Sequence, residues 1–133
     1  MNRHAFAFRN DVGAPKVLAT KNHLKRICPD IKCEIVDEFL TKDNCARILG
    51  DKPCFVADCI DDMETKAALL IHCIKNNIHV ISSGGAGMKM DPSQIQVKDI
   101  NDCAYDKLTK RLRELISKEL KDLEEVYNPT TCF

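Results

Sequence analysis

The chain has 133 residues, room for one small domain. Its 20 Lys and Arg balance 20 Asp and Glu, so no overall field draws it toward nucleic acid or a membrane surface, and any RNA contact would need a local patch. With 44% hydrophobic and 30% charged residues it has a globular rather than a disordered composition. No apolar run approaches the roughly 18 residues of a membrane span, and no apolar signal core follows Met1.

In chain order, Asp11-Val12-Gly13-Ala14-Pro15 reads as a turn that places Pro near the first position of a helix running to about Ile27. Cys28-Pro29-Asp30 breaks that helix. Lys32–Phe39 mixes polar and apolar residues as a half-exposed strand does. Thr41 or Asp43 can cap a short helix through Leu49, closed by Gly50. Phe55–Ile60 predicts a strand, after which Met63, Ala67, Leu70, Ile71 and Ile74 share one face of a helix ending at Asn76-Asn77. Ile78–Ser82 is the next strand and Gln94–Val97 another. Residues 104–121 form an amphipathic helix with Leu108, Leu112, Leu115, Ile116 and Leu120 on its inner face. Strands alternating with helices at this spacing imply an α/β fold with a parallel sheet and right-handed crossovers.

The eight cysteines are Cys28, Cys33, Cys45, Cys54, Cys59, Cys73, Cys103 and Cys132. They form no C-x-x-C and no Cys/His knuckle, so they are expected to be reduced and mostly buried thiols of a cytosolic protein. None is marked as a nucleophile by its neighbours.

The sharpest site is acidic. Asp58 and Asp61 fall at the carboxyl end of a predicted strand, where open α/β sheets place their ligands. A carboxylate there can hold Mg²⁺ against nucleotide phosphates, and Asp61-Asp62 also suits a helix N-cap. The turn Ser82–Gly87 either lets backbone approach a ligand closely or serves as a flexible crossover. Arg3 and Lys16 are phosphate partners or solvated surface. Lys107, Lys110, Arg111, Arg113 and Lys118 give the last helix a partly basic face, diluted by Asp106, Glu114, Glu119 and Asp122.

The order of these segments is more specific than any one of them. NRH at residues 2–4, DVGAPKV at 11–17, DCIDD at 58–62 and SSGGAG with DPSQIQV at 82–97 together resemble the ThiF/MoeB/HesA superfamily of ubiquitin-activating-enzyme-like adenylating proteins. The resemblance covers about Asn2 to Leu120, and GGAGMKMDPSQIQVKDI is most similar to the tRNA threonylcarbamoyladenosine dehydratases. It implies a partial Rossmann-like, ThiF-type domain over residues 1–133, a mostly parallel sheet flanked by helices, with the first strand and glycine-rich loop expected upstream of Met1. It further implies ATP-dependent cyclisation of the modified tRNA base through an acyl-adenylate, with ATP and Mg²⁺. Arg3 and Lys16 match the family's phosphate contacts, and Asp61 matches the catalytic acidic residue that binds Mg²⁺ through the nucleotide. Asp58 is left to cap or orient, and Lys66 has no assigned role.

The partners implied are tRNA, a second copy in a homodimer, and a further chain supplying the missing half. As an isolated chain the protein is expected to bind ATP weakly or not at all. The alternatives are an adenylyltransferase for a ubiquitin-like or sulfur-carrier protein, and a non-catalytic remnant for dimerisation or tRNA binding. The expected location is cytoplasmic, or the mitochondrial surface through segments absent here.

Overall fold

A computed structural model describes residues 5, 8–51, 53–104 and 106–121. The chain forms two compact units, Met1–Phe39 and Leu40–Phe133, each taken by itself.

In the first unit a short 3-10 turn, Arg9–Asp11, leads into the predicted turn. The Asp11 carboxylate accepts the Phe8 amide at 2.8 Å, and the Ala14 amide donates to the Asp11 carbonyl at 3.0 Å. Val12 at φ −63°, ψ 121° followed by Gly13 at φ 88° makes this a type II turn, whose third residue needs the left-handed region that glycine enters freely. Pro15 then stands just before helix α1 (Lys16–Ile27), where its missing N–H costs no intrahelical bond. Ala19 is buried, and the Phe8 ring stacks on His23 with centroids 6.3 Å apart.

The strand expected at Lys32–Phe39 is not formed. Its polar–apolar mixture favours extended backbone, but a strand also requires a ladder partner, and the described residues offer this segment none. Phe39 is accordingly 92% exposed.

The second unit holds α2 (Cys45–Leu49), β1 (Phe55–Asp58), α3 (Met63–Lys75), β2 (His79–Ser82) and α4 (Lys107–Leu120). Thr41 and Asn44 close the start of α2 by exchanging bonds, Thr41 N to Asn44 Oδ1 at 2.7 Å and Asn44 N to Thr41 Oγ1 at 3.3 Å. Gly50 ends it at φ 56°. Strands β1 and β2 pair in parallel, with Phe55 opposite His79 and Asp58 opposite Ser82. A parallel pair cannot be joined by a tight hairpin, and α3 makes the crossover.

Helix α3 ends as its asparagines predict. Asn77 enters the left-handed region at φ 53°, Ile78 N donates to Cys73 O at 2.9 Å, and Asn77 N donates to Ile74 O at 3.1 Å. This is the Schellman arrangement, and it turns the chain directly into β2.

The core lies between α3, α4 and the sheet: Ala67, Leu69, Leu70, Cys73 and Ile74 pack with Val80, Ile100, Leu112 and Ile116. Leu70 and Leu112 are fully buried, each worth about 1.5–3 kcal/mol of apolar transfer.

The strand expected at Gln94–Val97 is replaced by a 3-10 turn at Pro92–Gln94. The Asp91 carboxylate accepts both the amide (3.0 Å) and the hydroxyl (2.6 Å) of Ser93, a local closure that outcompetes extension and leaves Ile95 and Val97 exposed. Helix α4 begins at Lys107 rather than at 104, because Asp106 caps it.

The cysteines are also less buried than expected. Of the seven described, all free thiols, Cys45 and Cys73 are buried while Cys28, Cys54 and Cys59 are exposed, since these three lie in turns and strand-end positions off the apolar faces. Among the described residues no helix is long and apolar enough to cross a membrane.

Candidate functional site

The carboxyl end of β1 is built around a buried ion pair. Val56 and Asp58 point to the same, covered side of β1, so the strand's two-residue period carries a carboxylate into the core. On α3, Lys66 stands one turn before Leu70 and is drawn inward with it. Its ammonium lies 2.7 Å from Asp58 Oδ2, and both side chains are fully shielded from solvent.

Every polar group here is partnered. Lys66 Nζ also donates to the Ile60 carbonyl at 2.9 Å, and Asp58 Oδ1 accepts the Ile60 amide at 2.9 Å. Ser82, the last residue of β2, donates its hydroxyl to Asp58 Oδ2 at 2.6 Å. A buried charge pair survives desolvation only with such geometry and with its remaining lone pairs satisfied.

Asp61 and Asp62 follow immediately. Asp62 is the N-cap of α3, its carboxylate accepting Thr65 N at 2.9 Å. The hydroxyl and amide of Thr65 hold that carboxyl below its ordinary value. Asp61 is exposed and makes no hydrogen bond or ion pair among the described residues. The two readings of the acidic pair therefore divide between the residues: Asp62 caps, and Asp61 is left outward.

The Gly-rich turn is occupied by the protein's own carboxylate. Asp106 Oδ2 accepts the Gly85 amide at 3.1 Å and the Thr109 hydroxyl at 2.6 Å, while Leu108 N and Thr109 N complete the cap of α4. A Cβ added at Gly84 would meet Asp106 Oδ2 at 2.7 Å, so the close approach that glycine permits is an approach to Asp106. Lys89 closes the far side, donating to Gly85 O at 2.6 Å and lying 3.6 Å from Asp106 Oδ1. The turn is not a loose crossover. Burial raises the Asp106 carboxyl, but the Thr109 hydroxyl, the Gly85 amide and Lys89 outweigh it and hold the group below its usual range.

Of the expected phosphate and metal groups, Asp61 lies in the second unit and Lys16, exposed, opens α1 in the first. Arg3 lies outside the described residues, as does Cys132. The basic face of α4 is broken up. Arg113 donates to the carbonyls of Ile100 (2.7 and 3.1 Å) and Cys103 (2.8 Å), and Arg111 pairs with Glu114 at 3.0 Å.

Among the described residues no group of three or more His, Cys, Asp and Glu could hold a metal by itself. A single outward carboxylate fits Mg²⁺ that arrives already carrying phosphate oxygens, since that ion commonly takes one or two protein carboxylates and fills its octahedron with phosphates and water. An open cavity of about 420 Å³ between α3 and α4, lined by Lys42, Glu64, Ile71, His72 and Leu115, is a separate feature that does not include Asp58, Asp61 or Lys66.

Sequence reasoning missed Lys66 and Asp106. For Lys66 the signal was present: it is a charged residue on the helix face defined by Met63, Ala67, Leu70 and Ile74, preceded by an Asp on the covered side of a strand. For Asp106 it was the spacing Asp-x-x-Thr at the mouth of an amphipathic helix.

Comparison with known proteins gives a consistent result. The ThiF family model matches residues 1–131. The chain is 36% identical over 118 residues to a tRNA threonylcarbamoyladenosine dehydratase of Escherichia coli, covering 89% of this chain and 44% of that protein. It is 38% identical over 120 residues to tRNA threonylcarbamoyladenosine dehydratase 2 of Saccharomyces cerevisiae, covering 89% and 27% respectively. The crystal structure of the Escherichia coli dehydratase with AMP superposes with a TM-score of 0.83 over 96% of this chain and 51% of that one. Its complex with ATP gives 0.85, with 90% and 49% covered. The chain thus spans about half the length of the solved structures it matches, and less of the relatives.

Proposed function

The chain belongs to the ThiF family, and we propose that it is a nucleotide-handling portion of an ATP-dependent tRNA threonylcarbamoyladenosine dehydratase. The observation that carries this reading is the outward Asp61 carboxylate at the carboxyl end of parallel strand β1, in a fold 36% identical to a dehydratase solved with AMP and with ATP.

In this reading Asp61 receives Mg²⁺ already bound to ATP phosphates, and Lys16 and Arg3 neutralise further phosphate charge. Activating a carboxylate as an adenylate expels pyrophosphate, so the protein's contribution is alignment and charge neutralisation. No cysteine nucleophile is needed, because the substrate's own amide nitrogen closes the ring. The substrate is tRNA carrying threonylcarbamoyladenosine, and the working unit is a homodimer. A further chain supplying additional parts of the nucleotide site remains compatible with the span of the match.

The test is ATP binding and ATP–pyrophosphate exchange by the purified chain, alone and with modified tRNA. Exchange stimulated by tRNA supports the dehydratase. Stimulation by a small ubiquitin-like or sulfur-carrier protein instead would transfer the chain to the adenylyltransferase branch, and absence of any ATP binding would refute an active role for this chain by itself.

A further inference from the structure

We propose that the buried Lys66–Asp58 pair is a positioning device for Asp61, fixing that carboxylate for a metal ion that arrives with phosphate; this rests on the role given to Asp61 above. The geometry is specific. Asp61 is an exposed residue between two neighbours that are each held by hydrogen bonds, Ile60 by buried groups and Asp62 at the surface. On its amino side, Ile60 is gripped at both ends of its peptide functionality: its amide donates to Asp58 Oδ1 at 2.9 Å and its carbonyl accepts from Lys66 Nζ at 2.9 Å. On its carboxyl side, Asp62 is held by the Thr65 amide at 2.9 Å. The grip on Ile60 is itself anchored in both strands and in α3, because Asp58 closes β1, Ser82 closes β2 and bonds Asp58 at 2.6 Å, and Lys66 reaches Asp58 at 2.7 Å from the helix.

A fully buried lysine is costly, and packing alone would be served at least as well by an apolar residue of its length. What an apolar residue cannot do is hold the Ile60 carbonyl and the Asp58 carboxylate at once. Outer groups that orient a metal ligand typically change metal affinity by about 10–100-fold when removed. Lys66 touches neither the ion nor the nucleotide, so it acts through the backbone of residues 58–61.

The experiment is a nuclear magnetic resonance titration of the ¹⁵N-labelled chain with ATP, once with Mg²⁺ and once with a chelator. The variants are Asp61→Asn, Lys66→Met, and the double variant Asp58→Asn with Lys66→Met. The double variant removes both charges at nearly constant volume and keeps the chain folded if the single Lys66 change does not. Because the isolated chain is expected to bind ATP weakly at best, the titration runs to high ATP concentration. The expected result is that Mg²⁺ tightens this weak binding to the unmodified chain, that Asp61→Asn abolishes the gain, and that the double variant reduces it about 10–100-fold. Affinity for metal-free ATP should stay within about twofold, which a general loss of structure would not allow. A folded double variant that keeps the full Mg²⁺ gain overturns the positioning role while leaving the role of Asp61 intact. An unmodified chain without any Mg²⁺ gain overturns the role of Asp61, and the positioning role with it.

Discussion

Substituting Gly84 by Ala tests whether the Gly-rich turn is shaped by Asp106. The added Cβ would lie 2.7 Å from Asp106 Oδ2, about 0.3 Å inside the 3.0 Å below which real Cβ contacts essentially never fall, with Thr109 Oγ1 at 3.6 Å. Gly84 is not in the left-handed region, so the backbone itself does not penalise the substitution. Nor is the carboxylate a free end that can swing away: the Thr109 hydroxyl, the Gly85 amide and two helix amides hold it.

Relief of the clash therefore displaces the cap of α4, worth about 1 kcal/mol, and a bond from Gly85 to a charged acceptor, worth about 1.5–3 kcal/mol. Gly84→Ala should cost roughly 2.5–4 kcal/mol, a shift of about 1–3 M in the urea midpoint for a unit of this size. Gly85→Ala, with Asp106 Oδ1 at 3.2 Å, should cost less, and Gly87→Ala, with nothing within 4 Å, should be close to neutral. The decisive measurement is the same Gly84→Ala change in an Asp106→Ala background, followed by circular dichroism through urea unfolding. There the cost should fall to a few tenths of a kcal/mol, as expected for coupled sites. An undiminished cost in that background would refute the clasp.

Three further outcomes follow from the same geometry. Lys66→Met alone leaves Asp58 buried and unpaired and should destabilise the chain by about 3–5 kcal/mol, whereas the double change with Asp58→Asn should recover much of that; urea midpoints of both variants check it. Because the Asp106 carboxyl is held below its ordinary value in the folded chain, its contribution is present above the unfolded value and is lost as pH falls through the folded one. The urea midpoint of the native chain should therefore drop more steeply below about pH 4 than that of Asp106→Asn. Burial, with Cys45 and Asp58 nearby, pushes the Cys73 thiol up to about 11, so at pH 8 Cys28, Cys54 and Cys59 should alkylate first. Modification of Cys73 in the folded chain before these three, followed by peptide mass spectrometry, would contradict the packing of α3.

The legible parts were those written in local chemistry. Asp11-Val12-Gly13-Ala14 makes its turn because only glycine enters the required φ without cost, and Pro15, Asn77 and Gly50 mark helix ends for equally local reasons. The inner faces of α3 and α4 followed from the helical period, with Leu70, Ile74, Leu112 and Ile116 all buried. The failures were the non-local features. Lys32–Phe39 and Gln94–Val97 have strand-like composition, but a strand exists only where another strand offers its amides and carbonyls.

The site divides in the same way. By its order of motifs the sequence alone determined the family. It marked Asp58 and Asp61 together as carboxylates suited to a phosphate-bound metal, with only the resemblance preferring Asp61, because a hard cation asks for oxygen ligands whatever surrounds them. Only the tertiary structure decided that Asp62 takes the cap and leaves Asp61 outward, that Lys66 is a buried partner of Asp58 rather than a solvated surface residue, and that the glycines make room for Asp106. The physical reason is that a charge's role depends on what replaces water around it. Lys66 reaches Asp58 across 8 positions of sequence, Ser82 across 24 and Asp106 reaches Gly85 across 21, distances that only the packed helices and strands close.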